Sequence, residues 1–288
     1  MPEPVPAAKR KGRDLRVAVP TALGLIALLV TSLWFSPWPF VAMVSFALVI
    51  GMRELSQALE VARFRIPFLP LAVGSVATQV AAAYSGPSGA LVGVFLTLAA
   101  ATLWRGLEGD YKPGLAVPGQ RSLTQDVYAT AFAVLYLPTL VSLVVLLAFL
   151  EQGRFLVLLL VAVPVASDTG GFFAGLYLGK HPLAPHVSPK KTWEGLGGSV
   201  VLASATGVVG IALMGHPWYF GLALGIFGAL AATLGDLGES LLKRSIGIKD
   251  MGHFLPGHGG VLDRVDSILM TVPFVYVLVV LFGAGTFQ

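Results

Sequence analysis

Four acidic residues of this 288-residue sequence lie within or at the edge of long apolar stretches. Asp168 interrupts one stretch, Asp236 lies near the end of another, and Asp263 and Asp266 begin a third. A carboxylate inside a lipid bilayer costs about 2.5–3.5 kcal/mol on insertion scales, so such residues are functional candidates. The structural alternatives are an interhelical hydrogen bond or a helix cap for Asp168, and a favourable helix-dipole interaction for Asp266.

If each stretch is a helix, the acids lie at a similar depth in the membrane. Asp168 follows Arg154 by 14 residues, about 21 Å of helix, and Asp236 follows Trp218 by 18 residues, about 27 Å. The last helix begins on the same side with its two acids. The acids are therefore predicted to lie just beneath one membrane surface, where a lipid headgroup and a water-soluble reagent can meet.

The segment 236–266 carries the densest set of polar residues. The spacing i, i+3, i+4, i+7 puts Asp236, Glu239, Ser240 and Lys243 on one helical face. The following loop adds carboxylates, bases, two histidines and a glycine pair. Carboxylates hold Mg²⁺ while substrate phosphates fill its other positions, and basic side chains neutralise the remaining charge. The segment therefore predicts a metal–polyphosphate site, and a salt-bridged loop is the alternative.

A second polar segment, residues 188–195, precedes the seventh apolar stretch. Ser188 before Pro189 is typical of a helix start, with the serine as the cap. Lys190, Lys191 and Thr192 follow, and a helix N-terminus beside lysines and hydroxyls favours phosphate binding. The alternative is a solvated loop that meets acidic lipid headgroups.

A glycine-rich stretch follows Asp168. It contains Gly170, Gly171 and Gly175 within one apolar segment. Small residues allow membrane helices to pack closely, and bare backbone can also contact a ligand. The sequence leaves both interpretations open.

The composition requires membrane helices to position these residues. Hydrophobic residues make up 56% of the chain and charged residues 12%, whereas soluble domains carry about 25% charged residues. The mean hydropathy of +0.81 likewise excludes a soluble, disordered or coiled-coil protein. Because the chain has no cysteine, disulfides, thiolate metal sites and cysteine nucleophiles are excluded.

About nine apolar stretches are candidates to cross roughly 30 Å of hydrocarbon. They run approximately from Val17 to Phe35, Pro39 to Met52 with an extension towards Leu59, Ile66 to Tyr84, Ser88 to Trp104, Val127 to Leu150, Phe155 to Leu178, Leu196 to Met214, Trp218 to Leu237, and Val265 to Phe282. With a cytoplasmic N-terminus, every Lys and Arg except Arg154 falls on the cytoplasmic side, as the positive-inside rule expects. The sequence predicts an all-α, polytopic integral membrane protein with about nine transmembrane helices, its N-terminus cytoplasmic and its C-terminus outside.

The pI of about 9.4 then reflects membrane topology, and no nucleic-acid partner is predicted. The first stretch lacks a small-residue cleavage site and is predicted to remain as an anchor. Little polar chemistry precedes Asp126. The chain is therefore divided into residues 1–125, membrane-anchoring helices and cytoplasmic loops, and residues 126–288, a catalytic membrane region.

The polar segments together resemble the signature of the phosphatidate cytidylyltransferases, the CDP-diacylglycerol synthases. This sequence has the specified residue at every position of one long motif, which consists of three parts. The first part is Ser240-x-Leu242-Lys243-Arg244, and after a gap of four residues the second is Lys249-Asp250-x-Gly252. After a gap of two residues the third is Leu255-Pro256-x-His258-Gly259-Gly260-Val261-x-Asp263-Arg264-Val265-Asp266. Two earlier landmarks stand in the same order, at residues 168–170 and 188–195. The resemblance covers about a third of the chain.

The resemblance implies a Mg²⁺-dependent, homodimeric enzyme of the cell membrane that makes CDP-diacylglycerol and pyrophosphate from CTP and phosphatidate, with its active site facing the cytoplasm and membrane lipids around it. The implied metal ligands are Asp236 and Asp263, with Asp168 and Asp266 as further ligands, and a second cation has room among them. The implied catalytic residues are Asp236, Asp263, Lys249, Arg264 and His258. The implied phosphate-binding residues are Ser188, Lys190, Lys191, Thr192, Lys243, Arg244, Gly259 and Gly260.

Two other classes of protein share some of these features. A related lipid nucleotidyltransferase, or a polyprenol or phytol kinase, would keep the membrane carboxylates but change the acceptor or the nucleotide. An ion-coupled transporter also carries intramembrane acids, but usually near the midplane and with internal repeats, and this sequence shows neither feature. The sequence therefore favours the cytidylyltransferase.

Overall fold

The computed structural model describes residues 15–108, 122–252, 254 and 259–281. The helices are α1 (Leu15–Phe35), α2 (Pro37–Val61), α3 (Phe68–Leu107), α4 (Leu123–Tyr136), α5 (Pro138–Ala148), α6 (Gly153–Leu178), α7 (Trp193–Leu213), α8 (Trp218–Ile246) and α9 (Leu262–Leu281). Two short strands, β1 (Pro182–Ala184) and β2 (Ser188–Thr192), pair antiparallel with Pro182 opposite Thr192. The predicted all-α class is confirmed, and this β-hairpin is the one addition in the described residues.

Seven helical segments of the described chain are long and apolar enough to cross a membrane. They are α2, α3, the α4–α5 pair (Leu123–Ala148), α6, α7, α8 and α9. The apolar part found in α1, Leu23–Phe35, is shorter. The molecule is therefore a polytopic membrane protein, whereas the count of nine crossings and the sides of the two termini stay predictions.

Helix α3 folds back on itself at Gly86, whose φ of 60° and ψ of −146° are accessible mainly to glycine. Its two arms, residues 68–85 and 87–107, pack side by side. A Cβ on Gly93 would lie 2.8 Å from the Cα of Thr78, and the hydroxyls of Thr78 and Thr97 are 3.1 Å apart in a hydrogen bond. Each arm is about 27–32 Å long, close to the hydrocarbon thickness. The arms correspond to the third and fourth predicted stretches.

The α4–α5 pair is one apolar segment with a break at Pro138. Proline has no N–H, so the carbonyl of Val134 loses its helical donor. The hydroxyl of Thr139 donates to that carbonyl at 2.9 Å. Such side-chain compensation lets a broken helix persist inside a membrane bundle, and the predicted stretch from Val127 to Leu150 is accordingly a bent one.

Glycines bring α6, α7 and α8 together with their backbones nearly in contact. A Cβ on Gly198 of α7 would lie 2.6 Å from the carbonyl oxygen of Gly170 on α6. Further along α7, Gly207 lies against Gly221 of α8. Membrane helices commonly associate through small residues in this way. The glycine-rich stretch after Asp168 therefore serves helix packing, one of the two interpretations that the sequence left open.

The β-hairpin occupies a place where the sequence predicted a helix start. Ser188 and Pro189 lie in β2, so the prediction that Ser188 caps a helix is wrong. Helix α7 begins at Trp193, and its cap is Thr192, whose Oγ1 accepts a hydrogen bond from the N–H of Gly195 at 3.0 Å. Pairing with β1 uses backbone groups of residues 188–192, which are then not available to a helix.

Of the three buried apolar clusters in the described chain, two large ones connect most of the helices. One joins α5, α6, α8 and α9 around Leu160 and Val272. The other joins α2, α3, α4 and the start of α9 around Leu55, Val134 and Leu262. The second cluster matters for the site, because it packs the end of α2 against the first turn of α9.

The polar segments gather at one end of the helix bundle. Here α6 and α8 end, α7 and α9 begin, and the β-hairpin lies between them. We call this the motif end. Apart from Arg154, which lies at the opposite end near the start of α6, the Lys and Arg residues of the described chain from α6 to α9 lie at the motif end.

Candidate active site

The predicted acids meet at the motif end from three helices. Asp168 lies in the second half of α6, Asp236 in the second half of α8, and Asp263 and Asp266 in the first two turns of α9. Asp168 is near enough to Asp236 and Asp266 for their charges to act on it. The helices thus bring together residues that are far apart in the sequence.

Lys191 of the β-hairpin forms an ion pair with Asp236 of α8, with 2.5 Å between Nζ and Oδ2. The side chains are 26% and 39% exposed, so the pair is accessible from the motif end. Ser240, one turn further along α8, places its hydroxyl 3.5 Å from Oδ1 of Asp236. The charge of Lys191 also acts on Asp168. Three separate motifs therefore meet around one accessible pair.

Lys243 bridges two buried acids. Its Nζ donates to Oε2 of Glu239 at 3.0 Å and to Oδ1 of Asp263 at 2.9 Å. The two acidic side chains are only 3% and 5% exposed. A buried carboxylate needs a paired cation because burial removes its hydration. Lys243 thus neutralises protein acids here, and its contact with a substrate phosphate stays a prediction.

Both carboxylate oxygens of Asp263 are occupied by protein donors. Besides Lys243 on Oδ1, Oδ2 accepts the N–H of Met251 at 3.0 Å and of Gly260 at 2.9 Å. These bonds close the loop between α8 and α9 onto the first turn of α9. Gly259 within it has a φ of 86°, a left-handed conformation that glycine adopts readily. Three protein donors therefore hold Asp263 in place, and its role as a metal ligand stays a prediction.

Asp266 is 6% exposed, and its carboxyl group interacts with that of Glu239. Oε1 of Glu239 is buried, and no donor in the described part of the chain reaches it. A buried acceptor without a partner is rare in folded proteins, and it calls for a proton on the neighbouring Asp266, an ion, a water or a ligand donor. Glu239 was not among the predicted ligands, although its i, i+3 spacing from Asp236 placed it on the same helical face.

Glu54 of α2 is a residue of this region that the sequence did not single out. It is 4% exposed, and its two carboxylate oxygens accept the N–H groups of Val261 and Leu262, both at 3.0 Å. It therefore caps the first turn of α9. The available signal was an acid near the end of an apolar stretch, but the neighbouring Arg53 made this position resemble a cytoplasmic loop.

Polar contacts hold the β-hairpin over the motif end. Arg244 of α8 donates from Nη1 to the carbonyl oxygen of His186 at 2.8 Å. Glu194, in the first turn of α7, accepts the N–H groups of Lys180 and His181 at 3.1 and 3.2 Å. Arg244, a predicted phosphate ligand, thus positions the hairpin that carries Lys191.

Five other predicted residues are not assigned a role by the contacts described above. Lys190 and Lys249 are exposed, and among the described residues neither pairs with an acid. Ser188 is half-buried in β2, and Arg264 is exposed at the start of α9. His258 lies outside the described residues. The roles of all five stay predictions.

The donor set is compatible with Mg²⁺ that shares its ligands with a substrate. The described residues (15–108, 122–252, 254 and 259–281) contain no group of three or more His, Asp or Glu side chains that could hold a metal ion without further ligands. Mg²⁺ usually takes one or two carboxylates and completes its shell with phosphate oxygens and water. The accessible carboxylate of Asp236, the nearby Asp168 and the unpartnered oxygen of Glu239 fit that pattern.

Comparison with known protein families identifies the class to which this membrane protein belongs. The model of the cytidylyltransferase family matches residues 16–282, and the chain belongs to this family. A protein of Mycobacterium bovis named phosphatidate cytidylyltransferase is 37% identical over 271 residues, which are 93% of this chain and 89% of that protein. Its namesake from Mycobacterium leprae is 36% identical over 267 residues, 90% and 86% of the two chains. The Bacillus subtilis protein of that name is 43% identical over 120 residues, 41% and 45% of the two chains. The resemblance read from the motifs is confirmed.

Proposed function

We propose that the acids and lysines of the motif end form the site at which this membrane enzyme transfers the cytidylyl group of CTP to phosphatidate. The activity is CDP-diacylglycerol synthesis, a step of phospholipid biosynthesis that releases pyrophosphate. The observation that carries the assignment of the site is the accessible Lys191–Asp236 pair, at which two distant motifs meet beside Asp168. The names of relatives that align over nearly the whole chain support the choice of substrates.

Both substrates are anionic, and this determines what the protein has to do. An oxygen of the phosphatidate phosphate attacks the α-phosphorus of CTP, a new P–O bond forms, and the bond to the departing pyrophosphate breaks. The phosphate is already an anionic nucleophile, so no strong general base is needed. Catalysis consists of aligning two phosphates that repel each other and of neutralising their charge.

We assign the neutralising role first to Lys191. Its ammonium group is partly exposed and is held only by a side-chain contact to Asp236 among the described residues, so a phosphate can reach it from the motif end. The other phosphate contacts are assigned to groups of the same end, which are exposed or half-buried except for Gly260, whose buried N–H already donates to Asp263. They are Ser188, Lys190, Thr192, Lys249, Arg264 and the backbone of Gly259 and Gly260, with His258 either on a phosphate or fixing its loop.

Mg²⁺, when bound, would neutralise the phosphates of CTP and the charge that develops on pyrophosphate. Asp236 and Asp168 would hold it, with Asp266 and Glu239 behind them. Asp263, which also holds Lys243 and the loop, keeps acceptor capacity on Oδ1 and would be a further ligand. A second cation at these acids belongs to the same proposal.

We place the motif end on the cytoplasmic side of the cell membrane, where CTP is available. The collection of basic residues at this end supports that orientation through the positive-inside rule. Asp168 and Asp236 lie within helices rather than in loops, which supports a position below the surface, near the phosphates of lipid headgroups. A homodimer and an outside C-terminus stay predictions from the sequence.

The test uses purified protein in detergent with radiolabelled CTP and a panel of acceptors. We expect CDP-diacylglycerol from phosphatidate in the presence of Mg²⁺, and no product from polyprenol or phytol. Transfer of a phosphoryl group to either alcohol would identify a lipid kinase instead. Failure to convert any acceptor would contradict the proposed function.

A further inference from the structure

We propose that Glu54 is a positioning residue of this site: its carboxylate fixes the backbone turn from which Asp263 and Asp266 project. The inference rests on the proposed function, because it concerns the same site. Glu54 lies on α2, 207 residues before Val261 in the sequence and outside every motif described above. It acts through the turn and does not itself need to touch a substrate.

Three consecutive N–H groups at the start of α9 are taken by two carboxylates. The N–H of Gly260 donates to Oδ2 of Asp263 at 2.9 Å, that of Val261 to Oε1 of Glu54 at 3.0 Å, and that of Leu262 to Oε2 of Glu54 at 3.0 Å. The first N–H groups of a helix have no acceptor within the helix, and an anion beside them also interacts favourably with the helix dipole. Glu54 thus supplies from another helix the cap that sets where α9 begins.

Two glycines of the long motif lie against the carboxylate of Glu54. A Cβ on Gly260 would lie 2.7 Å from Oε2 of Glu54. For Gly252 the three nearest atoms to an added Cβ all belong to the side chain of Glu54, at distances that real Cβ atoms do not adopt. At Gly260 the added Cβ would also lie 2.8 Å from the backbone nitrogen of Gly252 and 2.9 Å from Oδ2 of Asp263. Glu54 therefore accounts for the lack of space for a side chain at Gly252 and for part of it at Gly260.

The charge of Glu54 is matched by backbone dipoles. In the described chain no Lys or Arg pairs with it, and each of its oxygens accepts one backbone hydrogen bond. Leu262, which donates one of these bonds, also belongs to the apolar cluster that joins α2 to α9. Packing therefore holds the helices together, whereas the carboxylate sets the geometry of the turn. A neutral replacement of similar size should keep the packing and loosen the turn.

The first experiment compares Glu54→Gln with Glu60→Gln, a control at an exposed acid of the same helix. Hydrogen exchange followed by mass spectrometry should show residues 260–262 exchanging at least about tenfold faster in Glu54→Gln only. Turnover should fall about 10–100-fold, as for other residues that orient metal ligands, with the thermal midpoint close to that of the wild type. Wild-type exchange together with wild-type turnover in Glu54→Gln would overturn the inference.

The second experiment uses the contact between Glu54 and Gly252. Gly252→Ala should lower turnover in the wild-type background and have little further effect in a Glu54→Ala background, because the side chain that the new methyl group strikes is gone. An equal loss in both backgrounds would overturn the inference. If the wild-type protein makes no CDP-diacylglycerol, the proposed function fails, while the exchange of residues 260–262 still decides the role of Glu54.

Discussion

Lys243 balances the charge of the buried half of the site. It bridges Glu239 and Asp263, whose side chains are almost completely enclosed, whereas Lys191 pairs with the partly exposed Asp236. Loss of one partner from a buried pair leaves an uncompensated charge and typically costs about 3–5 kcal/mol. The two lysines are therefore expected to differ in kind, Lys243 supporting stability and Lys191 binding substrate.

Lys243→Met tests this difference, because it keeps the length of the side chain and removes its charge. We expect the free energy of unfolding to fall by about 3 kcal/mol, measured as a lower midpoint of thermal unfolding in detergent. Lys249→Met, at an exposed lysine that pairs with no acid in the described chain, is the matched control for stability. Equal midpoints for the two variants would contradict the role assigned to Lys243.

At the scale of residues, the sequence identifies acids that break an apolar pattern but not acids that serve a distant backbone. Asp168 and Asp236 stand out because hydropathy is a local property. Glu239 shares a helical face with Asp236 through simple spacing. Glu54 has no such signal, because its partners are N–H groups more than 200 residues away, and a backbone donor leaves no trace in residue type.

At the scale of helices, the position of the acids depends on how closely α6, α7 and α8 approach one another. Gly170 and Gly198 let α6 and α7 meet through their backbones, and the hydroxyl of Ser199 donates to the carbonyl of Ser167, next to Asp168, at 2.7 Å. A side chain at Gly170 or Gly198 would push α6, and Asp168 with it, away from α7. We call this glycine-mediated contact between α6 and α7 the seam.

Adjacent glycines of α7 provide a matched pair of substitutions for this seam. Gly198→Ala should destabilise the protein by about 1–3 kcal/mol through overpacking, because its Cβ would strike Ala174 and the backbone of Gly170. Gly197→Ala meets no atom within 4 Å and should be neutral or slightly stabilising, since alanine favours the helix. Thermal unfolding of both variants measures the effect. A Gly198→Ala protein as stable as Gly197→Ala would show that the seam is not tight.

At the same scale, α7 shows why the residue at which a helix begins can be hard to predict from the sequence. Ser188 followed by Pro189 matches a helix start as well as Thr192 does by local preference. The choice is made by pairing with β1, which occupies the backbone of residues 188–192, and strand pairing is not visible in residue types alone. Thr192 then serves as the cap.

For the whole molecule, hydropathy predicted the apolar segments well because length and polarity are local properties. The stretches on either side of Ser85-Gly86-Pro87 correspond to the two arms of α3. What hydropathy could not predict is which segments meet. The contact of α2 with the start of α9 joins the two parts into which the sequence was divided at residue 125, and that division stays a prediction.

The absence of cysteine from the chain allows the orientation of the whole molecule to be tested. Glu151→Cys places a thiol at an exposed position before α6, and Ser245→Cys places one at an exposed position near the end of α8. In spheroplasts of an expressing bacterium, a membrane-impermeant maleimide should label Glu151→Cys and not Ser245→Cys, and inverted vesicles should give the reverse. Labelling of Ser245→Cys in intact spheroplasts would contradict a cytoplasmic motif end.

The most direct test of the central claim is the turnover of Asp236→Asn with CTP and phosphatidate. Asparagine keeps the size of the side chain but cannot pair with Lys191 as an anion or serve as a charged metal ligand. We predict that the wild-type protein makes CDP-diacylglycerol and that Asp236→Asn, with an unchanged thermal midpoint, makes it at least about 100-fold more slowly. Wild-type turnover by Asp236→Asn would contradict the claim that the Lys191–Asp236 pair lies at the centre of the active site.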